Sequence, residues 1–221
     1  MKYELRDNIA LLTFDDGKAN VVSHSFIDDM NTGLDRAGLE AAAVVITGRE
    51  GMFSGGFDLE EFAKGAEAAQ ALVTRGFEML TRLYSHPQPL LVACSGHAVA
   101  AGAFILLAAD TRVGAEGSFK LTLPETALGM TFPPVLRELV SARISIRHKT
   151  RVLLQSQLYD PAGAIDAGFL DEVVPPGEVL DTTLERAQNL AQLPGAIYGQ
   201  NKRDLRASSL AVMRESLAGT A

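Results

Sequence analysis

The sequence holds one cysteine, Cys94, in 221 residues. A single thiol closes no internal disulfide and builds no thiolate metal site. Basic residues are in deficit: 20 Lys and Arg stand against 27 Asp and Glu, a formal net charge of −7. That balance argues against a general nucleic-acid binder, which needs a basic surface. It leaves room for an anionic small ligand held by local charge and backbone dipoles. The opening MKYELRDN carries charge where a secretory signal needs its apolar core, so a cytoplasmic location is the default expectation. The common cofactor signatures are missing too. There is no P-loop, no GxGxxG after the first strand, no HExxH and no GxSxG. The four histidines, His24, His86, His97 and His148, sit at no metal-ligand spacing. No metal and no separate cofactor are therefore expected.

Long apolar runs are scarce as well. One stretch, PLLVACSGHAVAAGAFILLAA from Pro89 to Ala109, approaches the ~20 residues of a membrane span. Pro89, Ser95, Gly96 and His97 interrupt it, and a strand-like half gives way to a helix-like half. A buried strand, a turn and a buried helix fit it better, and no membrane association is expected.

What is present is an alternation of strand and helix patterns. With 47% hydrophobic residues the chain can form one domain with a substantial core. The patterning predicts strands over residues 3–5, 9–14, 43–47, 90–94, 111–115, 118–121 and 169–174. Helices are predicted from a cap at Ser23 or Ser25, then near residues 58–62, 66–84, 102–109, 135–140, 145–156, 160–167, 180–193 and 198–217. Residues 48–56 and 122–129 read as loops. This order predicts an α/β architecture, with a core over residues 1–195 and a short helical segment over 196–221.

Two glycine-rich turns each precede a helix: Phe53-Ser54-Gly55-Gly56-Phe57-Asp58-Leu59, and the stretch from Ser95 to Gly102. Each could present free backbone N–H groups, and two such groups aimed at one oxygen form an oxyanion hole. From the residues alone this signal is weak, and two tight turns in a packed α/β domain are the better reading. Asp58 reads as a cap for the next helix, Cys94 as core, and His97 as a packed or hydrogen-bonded residue. Asp110 reads as a local turn or pairing residue. Arg147, His148, Lys149 and Arg151 read as a solvated basic patch. Ser54 has no His/Asp partner placed to activate it.

Five segments, in order, resemble landmarks of the crotonase superfamily, the enoyl-CoA hydratase/isomerase family. They are DDGKANVVS, VVITGREGMFSGGFDL, PLLVACSGHAVAAGAFILLAAD, LPETALGM and AGFLDEVV. The resemblance implies a spiral of repeated ββα units and a homotrimer or dimer of trimers. It also implies an acyl-CoA thioester substrate, with coenzyme A as part of that substrate. On it, the oxyanion donors map to the N–H groups of Phe57 and Ala101. Lys18, Ala19 and Asn20 map to the stretch along the CoA moiety. Gly55, Asp58, Leu59, Gly102, Phe104 and Met130 map to the substrate surroundings.

The resemblance also implies a choice of reaction. Hydratases of this family use two glutamates. One maps to Glu125; the other maps to Phe104, which can neither give nor take a proton. That pattern resembles the Δ3,Δ2-enoyl-CoA isomerases, which work with one glutamate. A hydratase with Glu60, Glu61 or Glu116 as a substitute acid, another crotonase reaction, and a non-catalytic acyl-CoA binder are the alternatives. A serine peptidase on a similar spiral lacks an evident Ser/His/Asp set. The chain is also shorter at its C-terminal end than the family pattern, and Lys202 and Arg203 are expected to reach a CoA phosphate.

Overall fold

The computed structural model of the protein describes residues 1–219. The last two residues of the predicted C-terminal segment lie outside it. Strands β1 (Lys2–Arg6) and β2 (Ile9–Thr13) form an antiparallel hairpin. From β2 onward the main sheet is parallel, through β3 (Ala43–Thr47), β5 (Leu90–Cys94), β7 (Thr111–Ala115) and β9 (Glu172–Val174). Strands β3 and β5 are buried at every residue, as a parallel sheet covered on both faces requires. Alternate side chains split between two cores. Leu12, Val44, Ile46 and Val92 face the larger core. There they meet α1 (His24–Glu40), α3 (Ala66–Ser85) and α4 (Ala101–Ala108). Leu11, Val45 and Leu91 face the smaller core under α8 (Val179–Ala191).

A second, three-stranded parallel sheet stands beside the first. It consists of β4 (Gly51–Ser54), β6 (Gly96–Val99) and β8 (Leu121–Thr122). Each strand of this sheet follows a strand of the main one, so the chain repeats a two-strand step before each helix. This sheet corrects two expectations. Residues 48–56 are not all loop, and the segment from Ser95 is a strand before it is a turn. Both strands are four residues long and carry glycine and polar residues, so neither displays the apolar run that marks a strand. Gly96 is there because β4 passes so close: a Cβ on it would meet the Gly51 carbonyl carbon at 2.1 Å.

Other boundaries shift for identifiable reasons. Of the strand predicted over 118–121 only Leu121 pairs, and the strand runs on to Thr122, inside the predicted loop. The strand expected over 169–174 shrinks to Glu172–Val174, because the N–H groups of Phe169 and Leu170 turn back to the Ala164 carbonyl. Helix α6 (Lys149–Gln155) starts four residues later than predicted, since His148 and Lys149 donate to Ser145 in a preceding turn. Three further helices are α2 (Leu59–Phe62), α5 (Pro134–Arg143) and α7 (Pro161–Ala167). Ser23 caps α1, accepting the Phe26 N–H at 3.2 Å.

The last helix, α9 (Gly195–Ala218), packs on α3 and α5 and is tied down by charge. Asp110 follows α4 with its side chain 10% exposed, and its carboxylate receives Lys202 Nζ and, at 2.6 Å, Arg206 Nη2. Lys202 is 6% exposed and also donates to the Gln88 carbonyl. It therefore does not reach a CoA phosphate; Asp110 and the Gln88 carbonyl hold it inside. Asp110 pairs across 92 residues of sequence rather than locally. His148 leaves the predicted basic patch in the same way. It is buried, with its ring nitrogens on the Tyr159 hydroxyl and the Asp166 carboxylate at 3.0 Å each.

Candidate active site

The two glycine-rich turns meet. A Cβ built on Gly56 would stand 3.0 Å from the Ala100 Cβ and 3.5 Å from the Ala101 nitrogen. The Phe57 peptide thus lies against the start of α4. Val22 forms a parallel bridge with Phe57. That bridge uses the Gly56 carbonyl and the Asp58 N–H. Among the described residues nothing accepts the N–H of Phe57, nor that of Ala101, the first residue of α4. The first N–H groups of a helix are unpaired by construction, and the helix dipole adds positive potential there.

Two close approaches hold this geometry. Gly102 lies against β4, and a Cβ on it would meet the Ser54 carbonyl oxygen at 2.4 Å. Ala100 adopts φ +50° and ψ −123°, a conformation in which non-glycine residues are strained. The strain turns the chain sharply from β6 into α4 and sets the Ala101 N–H beside Phe57.

Glu125 sits in the turn after β8. It is 5% exposed, and its Oε2 is buried with no hydrogen-bond partner among the described residues. Burial pushes its carboxyl up to about 7, because a charge loses its hydration there. The turn itself is well held. The Glu125 carbonyl accepts the Met130 N–H at 2.8 Å, and Thr126 Oγ1 donates to the Leu153 carbonyl at 2.6 Å.

Glu125 and Phe57 line one cavity of about 630 Å³. Its other walls are Phe62, Ala66, Ala69, Val73 and Phe77 from α2 and α3, with Met130, Pro133 and Leu136 opposite. Among the described residues, Glu125 is the one ionisable side chain in that lining. Sequence reasoning missed the α3 wall; Val73 and Phe77, one helical turn apart, were its available signal.

The remaining predicted residues fall in three groups. Met130 lines the cavity and is 44% exposed, while Phe104 is buried in α4 with its ring 6.3 Å from that of Phe132. Gly55 and Leu59 are exposed beside Phe57, and Asp58 caps α2 through the Glu60 N–H at 2.9 Å. Lys18 is exposed, with its carbonyl on the Arg49 guanidinium at 2.9 Å. The Ala19 carbonyl accepts the Gly55 N–H at 2.8 Å. Asn20 is buried, and main-chain groups occupy both ends of its carboxamide. Of the weaker acid candidates, Glu61 is held by Lys64 and lies 3.5 Å from His24, and Glu60 and Glu116 are exposed outside the lining. His97 accepts the Lys120 N–H and packs on Phe119. Cys94 is buried, and its thiol is pushed up to about 12. Ser54 is buried and donates to the Asn20 carbonyl.

Known proteins share this fold. A crystal structure of an enoyl-CoA hydratase/isomerase family protein from Pseudomonas syringae matches at 38% identity and a TM-score of 0.95, covering 98% of this chain and 94% of that one. A Mycobacterium tuberculosis structure named an enoyl-CoA isomerase matches at 33% identity and a TM-score of 0.94, covering 99% and 96%. A Bacillus subtilis protein named a probable enoyl-CoA hydratase is 33% identical over 55% of this chain, a stretch spanning 48% of its own length. The profile of one family, described as enoyl-CoA hydratase/isomerase, matches residues 4–219. With the profile covering nearly the whole chain and the fold matching over 98% of it, the chain belongs to the enoyl-CoA hydratase/isomerase family.

Proposed function

We propose that the protein is a Δ3,Δ2-enoyl-CoA isomerase with Glu125 as its single acid-base group. One observation carries this reading: among the described residues, Glu125 is the only ionisable side chain lining the cavity that also holds Phe57. A hydration needs one group to activate water and another to protonate carbon. The residue where a second glutamate would stand is Phe104, buried in α4.

The chemistry follows from that arrangement. The thioester carbonyl of a 3-enoyl-CoA sits between the Phe57 and Ala101 N–H groups. Ionised Glu125 takes a proton from C2. The C–H electron pair moves into a dienolate, whose charge rests on the thioester oxygen facing the two donors. Preorganised donors act most strongly on charge that develops during the reaction; loss of one such donor elsewhere costs about 3–4 kcal/mol. The protonated Glu125 returns the same proton to C4, and the double bond moves to C2–C3. No water enters and no atom is lost. A carboxyl titrating near 7 suits both halves, since it is a competent base and a competent acid at neutral pH.

Hydration of a 2-enoyl-CoA is the second reading, and the Bacillus relative named a probable enoyl-CoA hydratase favours it. The experiment offers matched 3-enoyl-CoA and 2-enoyl-CoA thioesters of several chain lengths, with Glu125→Gln alongside. Conversion of 3-enoyl to 2-enoyl, lost in the variant, supports the isomerase. Water addition to 2-enoyl-CoA at the faster rate would make it a hydratase. Binding without turnover of either would make it a binder or a different crotonase.

A further inference from the structure

The Phe57 N–H is unclaimed while its neighbours are claimed. Residues 54–58 are zipped to residues 19–22 by four hydrogen bonds. Gly55 N–H donates to the Ala19 carbonyl and Val22 N–H to the Gly56 carbonyl, both at 2.8 Å. Asp58 N–H donates to the Val22 carbonyl at 3.2 Å. Ser54 Oγ donates to the Asn20 carbonyl at 2.8 Å and accepts the Gly56 N–H at 3.3 Å.

Asn20 sits where these bonds originate. It is 1% exposed and adopts a left-handed φ of +49°, which asparagine tolerates better than most residues. Its Oδ1 accepts the Asp16 N–H at 2.9 Å. Its Nδ2 lies 3.0 Å from the Phe14 carbonyl and 3.2 Å from those of Met52 and Phe53. One carboxamide therefore joins the exit of β2, the turn over residues 16–20 and the end of β4. Its own N–H is held in turn by the Asp16 carboxylate at 2.9 Å. With both ends of the amide on the main chain, Asn20 serves the framework of the site.

We propose that Asn20 is a positioning residue for the first oxyanion donor. It locks the turn over residues 16–20 onto β4 and so sets its carbonyl against Ser54 Oγ. Ser54 then fixes Gly56 and the peptide that carries the Phe57 N–H. This inference rests on the isomerase reading and deepens it. A donor works only within hydrogen-bonding reach of the developing oxyanion, and a displacement of about 1 Å can cost about 100-fold.

The test uses two variants of the full chain. Asn20→Gly keeps the left-handed backbone and removes the carboxamide. Ser54→Ala cuts only the link between Asn20 and Gly56, and it decides alone if Asn20→Gly does not fold. The expected result is a fall in kcat of about 100-fold for Asn20→Gly and about tenfold for Ser54→Ala, with KM within about threefold, the mark of an interaction made mainly in the transition state. The second readout is the carbonyl stretch of bound, carbonyl-labelled octanoyl-CoA, a saturated thioester that cannot react. Wild type should shift it to lower frequency than in water, and both variants should bind the thioester yet lose most of that shift. A shift retained in the variants, or activity lost only in proportion to folded protein by circular dichroism, overturns the role of Asn20. A wild type that does not bind octanoyl-CoA or does not shift its carbonyl sinks the oxyanion reading itself, and the positioning role with it.

Discussion

The ring of Phe57 occupies the space a side chain at Gly76 would need: a Cβ on Gly76 would lie 2.4 Å from two carbons of that ring. Gly76 is in the middle of α3, where glycine costs about 1 kcal/mol relative to alanine. The bare backbone there lets α3 approach the turn over residues 53–59 and seats a phenyl ring as cavity wall. Gly76→Ala should gain that helix propensity and lose more to overpacking, which costs about 1–3 kcal/mol. A net fall in melting temperature is expected, together with a changed preference for acyl chain length, because Phe57 must swing into the cavity. Thermal melts and a chain-length series of kcat/KM check both. An unchanged chain-length profile would show that the ring is not a substrate wall.

Burial sets Glu125 against stability. Its carboxyl is raised from 4.5 to about 7 in the folded chain. Below about pH 4.5 both folded and unfolded forms are protonated and the group costs nothing. Between there and about pH 7 the unfolded chain ionises first, so stability falls as pH rises, by about 3 kcal/mol in all. Glu125→Gln removes the charge and keeps the shape. It should be more stable than wild type at pH 8 and no different at pH 4, by urea titration at the two values. Its isomerase rate should fall about 1,000-fold.

The same ionisation predicts a rate profile. Proton removal needs the carboxylate, so kcat/KM should rise with pH and level off above an inflection near 7. The profile of kcat/KM reports the free enzyme, so it should be independent of acyl chain length. A flat profile between about pH 5.5 and 8.5 would remove Glu125 as the base.

Much of the fold was legible because the central strands of the main sheet, β2, β3 and β5, are almost wholly apolar. Strands β3, β5 and β7 fall where the patterning puts them, since each is a short buried run between turn residues. Strands β4 and β6 escaped because their job is close approach. They carry Gly51 and Gly96, which bring two backbones together and give no periodic signal. Lys202 escaped for another reason. Its partner Asp110 is 92 residues away, and only the packing of α9 on the core brings them together. At the site, Glu125 and Phe57 were reached through resemblance. Their shared cavity depends on how α3 packs; the spacing of Val73 and Phe77 marks the helix face but not what it packs against.

Ala100 should tolerate glycine well. Its φ of +50° and ψ of −123° strain an alanine, at a cost of about 1–3 kcal/mol. Glycine adopts this conformation freely but loses about 0.5–1 kcal/mol in chain entropy. Ala100→Gly should therefore raise the melting temperature, by about 2–4 °C per kcal/mol at this size. It should also lower kcat by loosening the turn that carries the Ala101 N–H. Greater stability with undiminished turnover would mean that the strain has no part in aiming that donor.

Asp110 is the last point of leverage. Removing it leaves Lys202 and Arg206, both about 5% exposed, as buried cations facing each other, whereas removing Lys202 leaves Asp110 still paired with Arg206 at 2.6 Å. Breaking a buried pair by deleting one partner costs about 3–5 kcal/mol. Asp110→Ala should approach that figure, because two cations are orphaned and the Leu90 N–H loses its acceptor at 2.8 Å. Lys202→Met should cost less, and the double variant should be less destabilised than the two losses added together, since Met removes one of the cations that Asp110→Ala strands. Urea unfolding of the three variants measures this. Strict additivity would mean that Lys202 and Asp110 do not depend on each other.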